Sequence, residues 1–505
     1  MGGYASQKVF LLCYICCTII KKSHLLMQKI IIKNFGPIKY AEIEVKKILV
    51  LIGEQASGKS TIAKLIYFFK TIQEDLFSQI YQDKRQFLNI DNDILSPIRQ
   101  KFYNFFGLTN HLGNCEIVFY YSLEKDKYIK LTLQRNKEME IIYNNLVDEN
   151  FRNSASAIKL RLKQEYLNSN SIQSLINEED KIKYAQQLYN LLDELLESKQ
   201  RDSLFIIAGR SATVNYSYLF EKYVLANIQS NLEENISASN YEHNVQKIDE
   251  ILMLQFMKKV IKNRDIFNLF GKNIEELTFG RKITPERRRK LSLLIHKINE
   301  ILKGKYYTDP YGNEKIRLDN EANDYVYLSN ASSGQQESIR ILQDIFLNIL
   351  DNTKVLRILE EPEAHLFPVA QKQLIELLAL MVNHNDDNQL IITTHSPYVL
   401  TVFNNLLFAN RVVEKNPSTQ SEVAQIIPQD SWLSAKDFSA YSLGNQSVSD
   451  SLRGDVGAMD TRYCEPIFNQ EKGTIQQNYL DTVSEILGGD FQALYSIHAK
   501  TFKRK

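Results

Sequence analysis

Gly53-Glu54-Gln55-Ala56-Ser57-Gly58-Lys59-Ser60-Thr61 decides the fold. The stretch matches the pattern G-x-x-x-x-G-K-[ST] in full. It stands directly after Ile48–Gly53 (ILVLIG), a continuous apolar run of the kind a strand buried on both faces carries. Thr61–Phe69 after it reads as a helix. In a strand–loop–helix setting, loop N–H groups and the helix N-terminus surround phosphate oxygens. Gly53 and Gly58 allow the tight backbone path, Lys59 is expected to reach the β and γ phosphates, and Ser60 to ligate Mg²⁺. Thr61 completes the expected nucleotide-binding set. The pattern occurs by chance elsewhere, and here the strand and the helix argue against chance.

Three further stretches fit a nucleotide site. Val355–Glu363 (VLRILEEPE) is an apolar strand that ends in carboxylates. One carboxylate holds Mg²⁺ or its waters and the next orients the attacking water. Glu360 is therefore assigned to the metal and Glu361 to the water. Taken alone, such a pair is more often a charge pair at a helix start. Ala331–Glu337 (ASSGQQE) precedes a helix expected at Ser338–Leu350, and alone it would be an ordinary helix cap. Leu390–Pro397 (LIITTHSP) puts His395 at the end of a buried strand, one βα unit after the paired Glu, within reach of a γ-phosphate or the water.

In this order the four motifs resemble ABC ATPases of the SMC and RecF kind. More narrowly, they resemble the ATPase portion of OLD-type proteins and of AAA-labelled ATPases in bacterial phage defence. The resemblance covers Met27–Tyr40, the phosphate loop and Leu328 to about Asn410, and only the architecture elsewhere. It implies an α/β P-loop NTPase, an ABC ATPase head with an antiparallel β subdomain and a helical insertion. It implies ATP and Mg²⁺ as cofactors and Glu361 as the catalytic carboxylate. Ser333, Gly334 and Gln335 become the signature, His365 falls in the D-loop-like stretch, and His395 is the switch histidine. Two departures stand out. Glu360 occupies the place of the usual Asp, and no Q-loop glutamine can be placed. Phe205–Ser211 (FIIAGRS) resembles a PA-x-RS-type segment, in which Arg210 either reaches nucleotide or a neighbouring subunit, or lies in a surface turn.

The same resemblance implies a homodimer closed around two composite ATP sites, with a higher oligomer open, and Ser333 of one subunit facing the γ-phosphate held by the other. Two roles are weighed. One is an ATPase that senses or clamps DNA in defence or repair. The other is an ATPase scaffold that holds and releases a separate effector protein, with DNA incidental. A transporter subunit is disfavoured, because the long helical insertion suits the SMC and RecF side. Gly280–Lys290 (GRKITPERRRK) is the strongest basic cluster, either a solvated helix start or a phosphate-backbone contact. A built-in nuclease is not expected. Residues 411–505 contain no D-x-D, and Asp450, Asp455 and Asp460 are scattered in a Gly/Ser-rich stretch.

Composition sets the outer bounds. Lys+Arg 61 against Asp+Glu 60 leaves a net charge of +1, so any DNA contact must come from a local patch. Five cysteines, with Cys13, Cys16 and Cys17 in one short segment and Cys115 and Cys464 apart, form neither a disulfide framework nor a zinc site, and a cytoplasmic setting is expected. Val9–Ile20 is a 12-residue apolar run, too short against the roughly 20 residues a spanning helix needs. Residues 1–26 are read as an extension ahead of a start at Met27, with an extra segment or a membrane contact as alternatives.

The expected order is then a head N-lobe at 27–150 with the phosphate loop and a β meander, and a helical insertion or arm at 151–304. A head C-lobe at 305–415 carries the other motifs, and 416–505 forms a cap or partner-docking region. Strands are expected at Lys29–Lys33, Ala41–Val45, Cys115–Tyr121, Tyr128–Gln134 and Met139–Tyr143. A short one is expected at Ser203–Ala208 and a hairpin at Lys305–Tyr307 and Lys315–Leu318. Val355–Leu359 and Gln389–Thr393, joined by a helix at Ala370–Val382, imply a parallel sheet. Beyond Lys415 the signal thins to a strand at Ala424–Ile427 and a helix at Ile475–Leu487.

Overall fold

The computed structural model describes residues 27–82, 94–107, 113–134, 139–168, 176–216, 248–270, 274–278, 281–318, 324–444 and 463–476, with the single positions 222, 492 and 494. The apolar run at Val9–Ile20, Asp450, Asp455 and Asp460, and most of the helix expected at Ile475–Leu487 lie outside them. Among the described residues, no helix is long and apolar enough to cross a membrane. The chain divides into two compact units. The first takes residues up to Lys46 and Ser60–Arg201, and the second takes Lys47–Lys59 and nearly all that follows Asp202.

The first unit opens with β1 (Gln28–Phe35) and β2 (Ile38–Val45), paired antiparallel so that Ile30 faces Ile43 and Ile32 faces Ala41. Gly36 turns the chain between them at φ 56°. The next strand, β3 (Ile48–Gly53), belongs to the second unit, and the phosphate loop leads from it into α1 (Lys59–Gln82) and α2 (Ser96–Phe106). The expected meander follows as β4 (Cys115–Ser122), β5 (Lys127–Leu133) and β6 (Glu140–Asn144), in the sheet order β2-β1-β4-β5-β6. Helices α3 (Glu149–Asn168) and α4 (Ile176–Leu196) complete the unit. Aromatic rings fill its core: Phe69 stacks on Phe119 with centroids 5.1 Å apart, and Phe68 meets Phe102 edge-on.

The second unit is built on a six-stranded sheet in the order β14-β13-β3-β12-β11-β7. Its members are β7 (Asp202–Ile206), β11 (Val355–Glu360), β12 (Gln389–Thr394), β13 (Phe438–Leu443) and β14 (Cys464–Pro466), besides β3. All pairings are parallel except that of β14 with β13. Every residue of β3, β11, β12 and β13 is buried, as strands covered on both faces require. Ahead of this core run α5 (Ala212–Asn215), α6 (Ile248–Phe270) and α7 (Pro285–Leu302), then a three-stranded sheet of β8 (Gly304–Thr308), β9 (Glu314–Leu318) and β10 (Tyr325–Tyr327). Next come α8 (Ser333–Asp351), α9 (Pro368–His384) between β11 and β12, and α10 (Pro397–Lys415). The α/β P-loop fold expected from the motifs is the fold observed.

Three local results depart from the sequence reading or add to it. Ala424–Ile427 is not a strand: Gln420–Ile426 is a helix, closed by Ile427 N donating to Val423 O, and none of its residues is buried against a sheet. Phe438–Leu443, within sequence that reads as loop, pairs directly with the phosphate-loop strand. Ser439 and Ser442 interrupt its apolar pattern, yet both are buried. Finally, Asp202–Ile206, inside the range expected to be an arm, lies beside β11 as the edge of the sheet.

Candidate nucleotide site

The phosphate loop bends through three left-handed or glycine-type positions, Gly53 at φ 155°, Ala56 at 62° and Gly58 at 83°. A Cβ on Gly53 would stand 2.2 Å from the Leu443 carbonyl oxygen, so β13 approaches so closely that only glycine fits. From the same end of the β13–β14 pair, just ahead of β14, the Tyr463 hydroxyl donates to the Ser57 carbonyl at 2.6 Å. Lys59 folds back over the loop, donating to the carbonyls of Gly53 at 2.9 Å and Glu54 at 2.7 Å. Burial lowers its ammonium pKa, while the nearby Glu361, Glu363 and Glu54 carboxylates counter that shift. Ser60 and Thr61 follow in the first turn of α1.

Opposite this lysine, β11 delivers its carboxylates. Glu360 is buried; its Oε2 accepts from Ala208 N at 3.4 Å, and its Oε1 makes no hydrogen bond among the described residues. An acceptor left open in the interior is costly unless a cation or water meets it, so this position fits the metal role expected of it. Glu361 takes a left-handed φ of 44° and donates its N–H to Thr393 O at 2.9 Å. That turn out of the strand aims the side chain at β12, where Glu361 Oε1 lies 3.1 Å from His395 Nε2. A non-glycine residue held in this region is strained, as active-site residues often are. Glu363 completes the group: its Oε1 accepts from Thr394 Oγ1 at 2.5 Å and from His395 N at 3.0 Å. This role for Glu363 was missed from the sequence, although the EPE spacing put it there to be considered.

The signature segment starts α8. Ser332, not Ser333, is the cap: its hydroxyl accepts from Gln335 N, and the Gln335 side chain accepts from Ser332 N at 2.9 Å. The amide of Gln335 also donates to Leu302 O at 2.6 Å, so its polar atoms serve the helix start. Ser333 is the first helical residue. A Cβ on Gly334 would come within 2.7 Å of the His365 carbonyl, and His365 itself stands at φ 60°. Gly334 and the His365 turn thus lie in contact.

Arg210 follows neither of its two sequence readings. It is 0% exposed, and its five N–H donors have five carbonyl acceptors: Glu337, Ile207, Glu360, Glu361 and Pro362, at 3.0 to 3.3 Å. The Glu337 carboxylate, itself buried, lies 3.3 Å from Nε. Nothing is left to offer a nucleotide, and the residue is no surface turn. Only the FIIAGRS resemblance pointed at it. The basic cluster at the start of α7 is also engaged locally. Thr284 caps the helix, Arg289 pairs with Asp430 at 2.8 Å, Arg281 with Asp351 at 2.6 Å and Lys290 with Glu286 at 2.9 Å.

A glycine-lysine loop rising from a parallel sheet, faced by carboxylates at the ends of neighbouring strands, defines a P-loop nucleoside triphosphatase. The chain belongs to the AAA_15 family, the AAA ATPase domain, whose profile matches residues 27–400. No curated protein matches it. Among solved structures it is similar to the SMC head domain from Thermotoga maritima, at 13% identity and TM-score 0.32 over 75% of this chain and 92% of that one. A second is the SmcHead bound to the C-winged helix domain of ScpA, at 12% identity and TM-score 0.33 with the same coverages. A third is the Smc head domain with an extended coiled coil bound to the C-terminal domain of ScpA derived from Pyrococcus furiosus, at 13% and 0.32, again over 75% and 92%.

Proposed function

We propose that the chain hydrolyses ATP at a composite site of the ABC type, that two copies close around two nucleotides, and that this cycle serves DNA-linked defence or repair. The observation that carries the hydrolytic reading is the convergence of Lys59, Glu361, Glu363 and His395, with Glu361 Oε1 3.1 Å from the switch histidine. In this reading Gly53, Gly58, Lys59, Ser60 and Thr61 hold the phosphates. Ser60 and Glu360 hold Mg²⁺, whose charge would offset that of the phosphate oxygens. Glu361 orients and deprotonates the attacking water, and His395 steadies the carboxylate and faces the γ-phosphate. Ser333, Gly334 and the N-terminus of α8 face the nucleotide of the second copy, a position that favours negative charge.

The support for the dimer is the start of α8, where Ser333 is exposed while Gly334 packs against the His365 carbonyl of its own chain. A DNA-linked role has thinner support, because Arg281, Arg289 and Lys290 of the basic cluster are paired with Asp351, Asp430 and Glu286. For that reason the second reading stays in play, a scaffold that holds and releases an effector protein. Its support is the engagement of the C-terminal strands with the phosphate loop through Tyr463 and Leu443, a path by which a docked protein would feel the nucleotide.

ATP turnover with and without duplex DNA, across a salt series, tests the choice. Stimulation by DNA that fades steeply with salt supports the clamp. Turnover indifferent to DNA, with a genomic-neighbour protein bound in one nucleotide state and released in the other, supports the scaffold.

A further inference from the structure

Arg210 bonds both the turn that carries Glu361 and the start of α8. Its guanidinium sits just after β7. Nη1 and Nη2 donate to Glu360 O and Glu361 O, each at 3.0 Å, with Pro362 O at 3.3 Å. On its other side Nε donates to Glu337 O at 3.0 Å and faces the Glu337 carboxylate at 3.3 Å. Glu337 lies on α8, one turn past Gly334, and its Oε1 also accepts from Ser211 N at 3.2 Å. We propose that Arg210 is a positioning residue that holds the Glu361 turn in its catalytic shape and ties that shape to the signature helix through Glu337. The proposal rests on Glu361 being the catalytic carboxylate.

The physical case has three parts. Glu361 and its neighbours leave β11 through a left-handed φ of 44°, a conformation that costs free energy and needs outside support. Carbonyls turned out of the strand there are polar groups that need donors; Ala364 N meets that of Glu361, and Arg210 supplies donors to three in succession, at residues 360, 361 and 362. A planar fork with five donors meets all five of the carbonyls around it, whereas an ammonium with three donors cannot. The charge this brings inside has a partner at 3.3 Å in Glu337, so a shift of α8 would alter the balance on Arg210 directly. Arg210 senses α8 through a charge and Glu361 through its backbone.

The experiment uses the full chain and compares wild type, Arg210→Lys, Glu337→Gln and Glu361→Gln in steady-state ATP turnover, with binding of a fluorescent ATP analogue measured beside it. Glu337→Gln keeps the shape and the backbone acceptor and removes the charge, so it stands in if Arg210→Lys fails to fold. The expected result is a kcat lowered about 10- to 100-fold in both variants, the range for small misplacements of a catalytic group. KM and analogue affinity should stay within about threefold of wild type, since the misplaced group acts after binding. Wild-type kcat in Glu337→Gln, or a loss of kcat matched by an equal loss of binding, overturns the proposal. If Glu361→Gln itself turns over like wild type, the catalytic assignment has failed instead, and the two failures are told apart.

Discussion

At the residue scale, the site depends on a few atoms held by specific neighbours. Lys59 is expected to be indispensable, and Lys59→Ala should lower turnover by at least about 1,000-fold by removing the positive charge from the developing phosphate charge. Thr394 is a subtler case. Its hydroxyl donates to Glu363 at 2.5 Å and accepts from Ser396 N at 2.9 Å, so it fixes both ends of the switch turn. Thr394→Val should leave nucleotide affinity near wild type and lower kcat about tenfold, read as a split between kcat and KM. A valine variant with wild-type kcat would mean that Glu363 needs no such anchor. Much of this scale was legible in the sequence, because Gly53, Lys59, Glu361 and His395 each sit in a motif. Arg210 was not, because its role comes from donors meeting carbonyls more than 100 residues away, at Glu337 and Glu360.

At the element scale, β11 and α8 are pinned together by Arg357. It is fully buried and bonds Asp344 of α8 at 2.6 Å and Asp202 of β7 at 2.7 Å. Removing one partner of a buried charge pair strands the others, so Arg357→Met should cost about 3–5 kcal/mol, visible as a lower melting temperature. Arg357 and Lys259 hold the Asp202 carboxyl well below the usual range against the opposing effect of burial. A depressed carboxyl contributes stability above its unfolded pKa and loses it as pH falls. Stability should therefore drop below about pH 4, and less so in Asp202→Asn.

In the first unit, burial pushes Lys70 of α1 down to about 7, with Gln28 Oε1 as acceptor at 3.0 Å. The unfolded chain then holds a proton that the folded chain has lost between pH 7 and about 10.4, so stability should rise with pH across that window. Lys70→Met should be more stable at pH 7 and lack that rise, measured by thermal melts at pH 7 and 9. Elements with strong apolar runs, such as β3 and β11, could be read directly from the sequence. β13 could not, because a strand with buried serines shows its nature only beside its neighbour.

At the scale of the whole molecule, the sheet was legible as a βαβ succession at β11, α9 and β12, but the strands that extend it on either side were not. Strands β7 and β13 join it from segments far apart in the chain, so their membership depends on pairing partners rather than on local pattern. Assembly is the claim that belongs here. Glu361→Gln should bind ATP, fail to release it as ADP, and double in mass by light scattering only when ATP is present. A variant that stays monomeric with ATP bound would argue against composite sites in this chain.

The measurement that tests the central claim most directly is phosphate release in a single turnover of bound ATP, comparing wild type with Glu361→Gln at equal nucleotide occupancy. The account predicts release by wild type and a loss of at least about 100-fold in the variant with occupancy intact, the scale of removing a general base. Release at the wild-type rate from the variant would contradict the role given to Glu361 and, with it, the site as described.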